Sequence, residues 1–377
     1  MATEHTDIFG DLPDALINEL LTRADGVGKT ARNHVETQVR ERESLRERAH
    51  QLGLVKELPD LSHIPAESVS AVDGSLASKR LASFDLNSAA ALAVDGIGFD
   101  AEESSPRHDI AVHPTKPLPF GREVTYALMF CMEYNIASAE ANTRNLVMLD
   151  GAFSTGLIAI SKALISAQDH YDELYNDFFD RWTPKTMRSV PELMTSDRVI
   201  ALPKRSSANE FRDQTLLFDS RETDTNGRST ASLILNANEY SGPFSFDTRT
   251  PRTWPSDAFP KFWKEVRELF EDLQVIYFKP HPWSHAYRVE MPRIISGDQQ
   301  RLHSVLDTIK RQCTNPAMME PYPLYVADRF AKSLAKGADA LLDAVRTYVI
   351  AESEDPEMAY AMLNTYRTEP MVEEIEE

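Results

Sequence analysis

Between Val124 and Ala139 the chain carries a single charged residue, Glu133, set among Tyr126, Leu128, Met129, Phe130, Cys131, Met132 and Ile136. The pattern predicts a helix over 121–141, and a helix apolar on most faces must be covered on most faces. A carboxylate in such surroundings costs several kcal/mol unless it is paired, protonated or bound to a metal. The segment thus constrains the fold twice: it must lie inside a layered domain, and it must bring an acid there.

Two short pieces flank it, Ser70-Ala71-Val72-Asp73-Gly74-Ser75 and Leu146-Val147-Met148-Leu149-Asp150-Gly151-Ala152. Each reads as a buried strand closed by an Asp-Gly turn, which places Asp73 and Asp150 at a sheet edge within reach of a ligand. Taken singly, Asp-Gly is ordinary turn chemistry. Arg80–Leu86 and Ala90–Phe99 are predicted as two more strands, and 100–119, with its acids and prolines, as a surface loop. The order strand–strand–strand–helix–strand, with acids on the first strand, the helix and the fourth strand, resembles the ribonuclease H-like nuclease core.

Near the other end, Pro321-Tyr322-Pro323-Leu324-Tyr325-Val326-Ala327-Asp328-Arg329 opens an apolar-periodic helix. It resembles the terminal motif of the NurA nucleases, as do the Asp-Gly-Ser of the first strand and the Leu-Asp-Gly of the fourth. The resemblance is carried by short motifs spread from about Ser68 to Leu342. It implies an α/β fold, a ribonuclease H-like mixed sheet flanked by helices, with an N-terminal helical region and inserted and C-terminal helices. The expected divisions are an N-terminal helical docking region (1–56), a NurA-like nuclease domain (67–350) and an acidic C-terminal tail (351–377).

The resemblance also implies a ligand set: Asp73, Glu133, Asp150, Asp213 and Asp328. Asp213 lies in Phe211-Arg212-Asp213-Gln214, after the predicted strand 198–203, and Asp219 is a weaker candidate. The family carries His where this chain has Asp328, an exchange that keeps a ligand and removes a titrating imidazole. Carboxylates converging on one sheet edge repel, and hard divalent cations with oxygen ligands, Mn²⁺ or Mg²⁺, relieve this. Two ions about 4 Å apart would span a scissile phosphate. Lys204 would offset charge on the pentavalent phosphate. Tyr322 would hydrogen-bond a phosphate oxygen or stack on a base, or else serve as a helix-capping core aromatic.

By resemblance, then, the expected function is that of a metal-dependent DNA nuclease acting on DNA ends or single strands. Such nucleases pair as homodimers and dock on a hexameric HerA-type DNA-translocating ATPase, in repair, end resection or defence against phage. The competing readings are a catalytically decayed scaffold for such a motor and another ribonuclease H-like nuclease, acting on RNA–DNA hybrids or branched DNA.

Composition bounds these readings. The chain has 377 residues, 42% hydrophobic and 26% charged, with two cysteines. It shows neither a disulfide framework nor a cysteine metal cluster, neither a signal peptide nor an apolar run of membrane-spanning length, and a cytoplasmic location is expected. The net charge of −19 opposes nucleic-acid binding, although the last 27 residues hold nine acids against one Arg. Arg181, Lys185, Arg188, Arg198, Lys204, Arg205 and Arg212 are the candidates for a local basic path.

Elsewhere, Leu12–Thr22 and the highly charged Thr30–Leu52 are predicted helices, the second either a solvated helix or a docking arm. They are joined through Asp25-Gly26-Val27-Gly28-Lys29-Thr30. That link resembles a phosphate loop, but Arg23 stands where its first glycine belongs and no strand precedes it. A turn and helix start are expected there, so any ATP-driven motor is another chain. His281 and His285 have the i,i+4 spacing of zinc ligands, but Pro282 keeps them off one helical face.

Overall fold

The computed structural model describes residues 12–98, 107–117, 120–167, 173–204, 208–215, 217, 226–246 and 259–364. It divides into two compact units, 1–54 and 55–377. In the first, helix α1 (Asp14–Gln51) runs unbroken through the segment expected to turn. Each helical glycine costs about 1 kcal/mol relative to alanine, but local pairs span the weak point. Lys29 meets Asp25 at 2.7 Å, and the Thr30 hydroxyl donates to the Gly26 carbonyl at 3.1 Å. Arg23–Glu19 and Arg32–Glu36 extend this i,i+4 ladder on both sides.

The second unit opens with β1 (Lys56–Glu57), β2 (Val69–Arg80), β3 (Asp85–Asp95) and β4 (Arg107–Thr115), followed by α2 (Gly121–Ala141), β5 (Leu146–Asp150) and α3 (Phe153–Ser166). Next come α4 (Glu173–Asn176), a π-helical turn (Asp177–Trp182), α5 (Thr183–Thr195), β6 (Val199–Leu202), α6 (Glu210–Asp213) and α7 (Gly227–Ile234). Then β7 (Glu239–Ser245), α8 (Pro260–Asp272), β8 (Leu273–Lys279) and β9 (Tyr287–Pro292) lead to α9 (Arg293–Ser296), α10 (Gln299–Gln312), α11 (Tyr322–Glu352) and α12 (Pro356–Met362). The described strands form one mixed sheet in the order β1-β7-β8-β9-β6-β5-β2-β3-β4. β2, β5 and β6 are parallel neighbours and the other pairings are antiparallel.

Several expectations require correction. Asp73-Gly74 is not a turn: β2 continues to Arg80, and Ser70 to Arg80 pair antiparallel with Asp95 to Asp85. The expected strand at Arg80–Leu86 is mostly the hairpin bend, and its partner starts at Asp85. The expected loop at 100–119 contains β4, an edge strand with inward Ala111, His113 and Thr115. An edge strand accommodates the polar residues and Pro114 that concealed it. Residues 239–245 form β7, and Arg228 lies in α7. The described part of the acidic tail includes α12, and 365–377 lie outside the described residues.

Two layers cover the sheet around β2. One face packs Val69, Ala71, Leu146 and Met148 with Leu302, Val305 and Ile309 of α10 and Leu324 of α11. On the other lies α2, buried over nearly its whole length. α11 runs along β2 and β3, and Lys79 on β2 pairs with Asp339 at 2.6 Å. Beyond that anchor, Leu81 and Leu86 pack with Leu342 and Leu363. No helix among the described residues is long and apolar enough to cross a membrane.

Candidate metal centre

Strand alternation decides which acids meet. Val69 and Ala71 face α10 and α11, so Asp73, two residues on, faces the same way. β5 pairs parallel with β2, Val72 opposite Leu149, so Asp150 lies beside Asp73 on that face. Gly151, at φ +91°, ends the strand there. From α11 comes Asp328. About 1.5 Å per helical residue and 3.3 Å per strand residue make the spans 328–339 and 73–79 similar in length. The Lys79–Asp339 pair marks the register in which Asp328 lies over Asp73.

Carboxylate oxygens of Asp73, Asp150 and Asp328 lie within 4.8 Å of one another. Two ammoniums answer them: Lys332, one turn along α11 and exposed, meets Asp328 at 3.0 Å, and Lys204 is the more enclosed of the two. Lys204, just beyond the end of β6, places its Nζ 2.7 Å from Asp150, 3.1 Å from Glu320 and 3.3 Å from Asp328. Burial, followed by the Asp150 charge, pushes the Asp73 carboxyl well above the usual carboxylate range. Burial likewise raises Asp150 and Glu320, although Lys204 opposes the rise in both. Burial works against the Lys204 charge, but Asp150, Glu320 and Asp328 outweigh it and hold the ammonium above its ordinary range. Three like charges with an all-oxygen donor set, against the ammoniums of Lys204 and exposed Lys332, fit a hard divalent cation.

Glu133 arrives from the opposite face. A Cβ on Gly74 would fall 2.4 Å from Glu133 Oε1 and 2.7 Å from Met129 Cγ, so this glycine is there for close approach. The buried Glu133 carboxylate therefore rests on the β2 backbone, one residue from Asp73, and outside the three-acid cluster. Gly74→Ala should cost about 1–3 kcal/mol through overpacking, read as a lowered urea midpoint. An unchanged midpoint would show that Glu133 simply swings away.

The structure does not bring Asp213 to the centre, which corrects its assignment as a ligand. It ends α6 and pairs with Arg212 at 3.0 Å. The adjacent Gln214 side chain bonds the backbone of Ser245 on β7, through 2.5 Å and 2.9 Å hydrogen bonds. β8, β9 and β6 separate β7 from β5, and at about 4.8 Å per strand that is some 19 Å. Asp219 lies outside the described residues. Tyr322 is half-buried at the first turn of α11. Glu320 was missed; the available signal was an acid immediately before the Pro-Tyr-Pro that starts α11.

Of the expected basic path, Arg181, Lys185 and Arg188 are exposed along the π-helical turn and α5. Arg198 and Lys204 flank opposite ends of β6, and Arg181, Arg198 and Arg212 each meet a neighbouring acid; Arg205 lies outside the described residues. His281 stacks on Trp283 at 4.7 Å, while His285 bonds Arg228. Arg228 also donates to the Lys204 carbonyl and, at 3.2 Å, to that of Ala286. Burial, then Arg228 and Lys279, hold the His285 ring down to about 4. The unfolded ring titrates near its usual value of about 6.5. Stability should therefore be full above that value and fall as pH drops toward 4, by about 1–2 kcal/mol after allowance for solvent screening. Urea unfolding of wild type and His285→Gln across this window tests the sign, since the variant should lose the slope.

No protein-family model matches the sequence, and no curated protein matches it significantly. Solved structures do match. The NurA nuclease from Sulfolobus solfataricus superposes with a TM-score of 0.61 at 14% identity, over 91% of this chain and 99% of that one. This chain has the NurA fold. A NurA structure with manganese gives 0.55 at 12% identity, covering 89% and 99%. One bound to dAMP and manganese gives 0.52 at 12%, covering 88% and 99%. The ribonuclease H-like mixed sheet expected from the motif order is the one observed, and in this NurA fold the three clustered aspartates lie on β2, β5 and α11.

Proposed function

We propose that this chain is a metal-dependent DNA nuclease. The observation that carries the reading is the convergence of Asp73, Asp150 and Asp328 within 4.8 Å, buried to half-buried. The NurA structures with manganese and with dAMP support it by analogy of fold.

In this reading Asp73, Asp150 and Asp328 hold divalent metal, Mn²⁺ or Mg²⁺, as two ions. The bound metal supplies Lewis acidity that activates water and stabilises a leaving oxygen. Asp73, central on β2, orients the centre, with Asp150 and Asp328 on either side of it. Glu133 is retained as a proposed ligand because Gly74 leaves nothing between its carboxylate and the strand bearing Asp73. Lys204 places a positive charge where an anionic phosphate must approach, and Tyr322 lies six residues before Asp328 on α11, as a contact for phosphate or base. Asp213 is not part of the proposed site.

With a net charge of −19, strong unaided DNA affinity is not expected. A partner that delivers DNA meets this difficulty, and a HerA-type translocase acting on a homodimer of this chain is the proposed arrangement, in end resection or phage defence. The test is cleavage of labelled single- and double-stranded DNA with Mn²⁺, Mg²⁺ or EDTA, alone and with the motor. Metal-dependent cleavage is expected. Intact DNA under conditions that support the motor's ATPase would move the assignment to a non-catalytic scaffold.

A further inference from the structure

Lys204 is unusual for a residue meant to meet a phosphate, because its ammonium is already engaged. It contacts Asp150, Glu320 and Asp328, two of which belong to the clustered acids. The third, Glu320, is outside that cluster and sits on the loop just before α11, with a side chain 16% exposed. Lys332 also meets Asp328, at 3.0 Å, but its side chain is 75% exposed and it reaches no second member of the cluster. The Lys204 ammonium bridges Asp150 and Asp328, and a divalent ion held by those two must compete with it.

We propose that Lys204 is a displaceable counter-ion and Glu320 its positioning residue. Lys204 gives up Asp150 and Asp328 as divalent cation binds and stays on Glu320, which keeps the charge beside the reaction centre. This rests on the metal-dependent reading above. It assigns Glu320 no direct bond to metal and explains why an acid belongs next to Lys204 yet outside the cluster. Arg228 fixes the other end of the residue by donating to the Lys204 carbonyl, so only the side chain needs to move.

The test is a Mn²⁺ titration by calorimetry on the full-length wild type, Lys204→Met, Glu320→Gln and the double variant. Removing the competing ammonium should tighten Mn²⁺ binding about tenfold. Glu320→Gln in the wild-type background should weaken it about three- to tenfold, because the displaced ammonium loses its charged partner. In the Lys204→Met background the same change should have little effect, and this coupling is the signature of a positioning role. Equal weakening in both backgrounds would make Glu320 a metal ligand and overturn the proposal. So would unchanged affinity in Lys204→Met.

Lys204→Arg guards against a folding artefact. It keeps the charge and should bind Mn²⁺ within about threefold of wild type; tightening equal to that of Lys204→Met would show that charge competition is not the cause. A wild type that binds no Mn²⁺ would instead remove the metal reading itself. Wild-type binding and cleavage with no Lys204–Glu320 coupling would sink this inference alone.

Discussion

Asp73→Asn should abolish metal-dependent DNA cleavage, by about 10³-fold or more in rate, while making the metal-free protein more stable. The two effects share one cause. Asp73 is buried beside Asp150, near Asp328, with its own oxygen turned to the Gly74 N–H at 2.8 Å. Burial and like charge make its ionised form costly, so Asn, nearly isosteric and neutral, relieves repulsion in the absence of metal. In EDTA the variant should therefore melt above the wild type. With Mn²⁺ the order should reverse, because the wild type gains stability by mass action and the variant has lost a charged ligand. Paired melting curves with Mn²⁺ and with EDTA, beside the cleavage assay, check this. A variant that melts lower than wild type in EDTA would show that Asp73 is held by attraction, and the electrostatic account of the centre would fail.

Much of this centre was legible because its acids sit in patterned surroundings. The lone Glu133 in an apolar helix breaks a local rule, whereas the two Asp-Gly pieces and the Asp328 that follows Tyr-Pro stand out only together and by resemblance. The legibility ended where geometry depends on neighbours in space. Asp73-Gly74 read as a turn because the dipeptide favours one; the structure uses the glycine to admit Glu133 and keeps the strand going. The same alternation that unites Asp73 with Asp150 turns Gly74 to the other face, where α2 brings Glu133, and residue order does not reveal that. β4 was hidden by edge-strand composition, and α1 by glycines that i,i+4 ion pairs outweigh. Asp213 was the residue that best matched the family's acid after β6, but Gln214 ties it to β7, four strand spacings from β5. Lys204, Asp150 and Asp328 were each named, but not their contact or the part of Glu320 in it, since the three acids come from β5, the loop before α11 and α11 itself.

The largest expected loss of stability lies away from the metal centre, at Arg288. Its guanidinium, with a side chain 3% exposed, sits between Glu210 and Glu290, whose side chains are wholly buried. Arg288 meets Glu210 at 2.5 Å and also pairs with Glu290. Tyr277 donates to Glu210 at 2.9 Å, and the Phe153 N–H at the start of α3 donates to Glu290 at 2.9 Å. The cluster thus joins α3, α6, β8 and β9. Burial pushes Glu210 upward, but Arg288 outweighs it and holds that carboxyl below its ordinary range; at Glu290 burial wins and the carboxyl is raised. Arg288→Met would leave two buried carboxylates with no counter-charge, at a cost of about 3–5 kcal/mol. That is a large part of the roughly 5–15 kcal/mol that holds a typical domain together. The carboxylates of the variant would bind protons more tightly folded than unfolded. Its deficit should therefore be smallest near pH 5 and grow as pH rises. Adding Glu210→Gln and Glu290→Gln should recover most of the loss, because both amides can still accept from Tyr277 and Phe153 while the stranded charge is gone. Urea midpoints for the single and triple variants at pH 5 and 8 decide the matter. A triple variant no more stable than Arg288→Met would mean that the guanidinium acts by packing, with Phe246 5.5 Å from it, and not by charge.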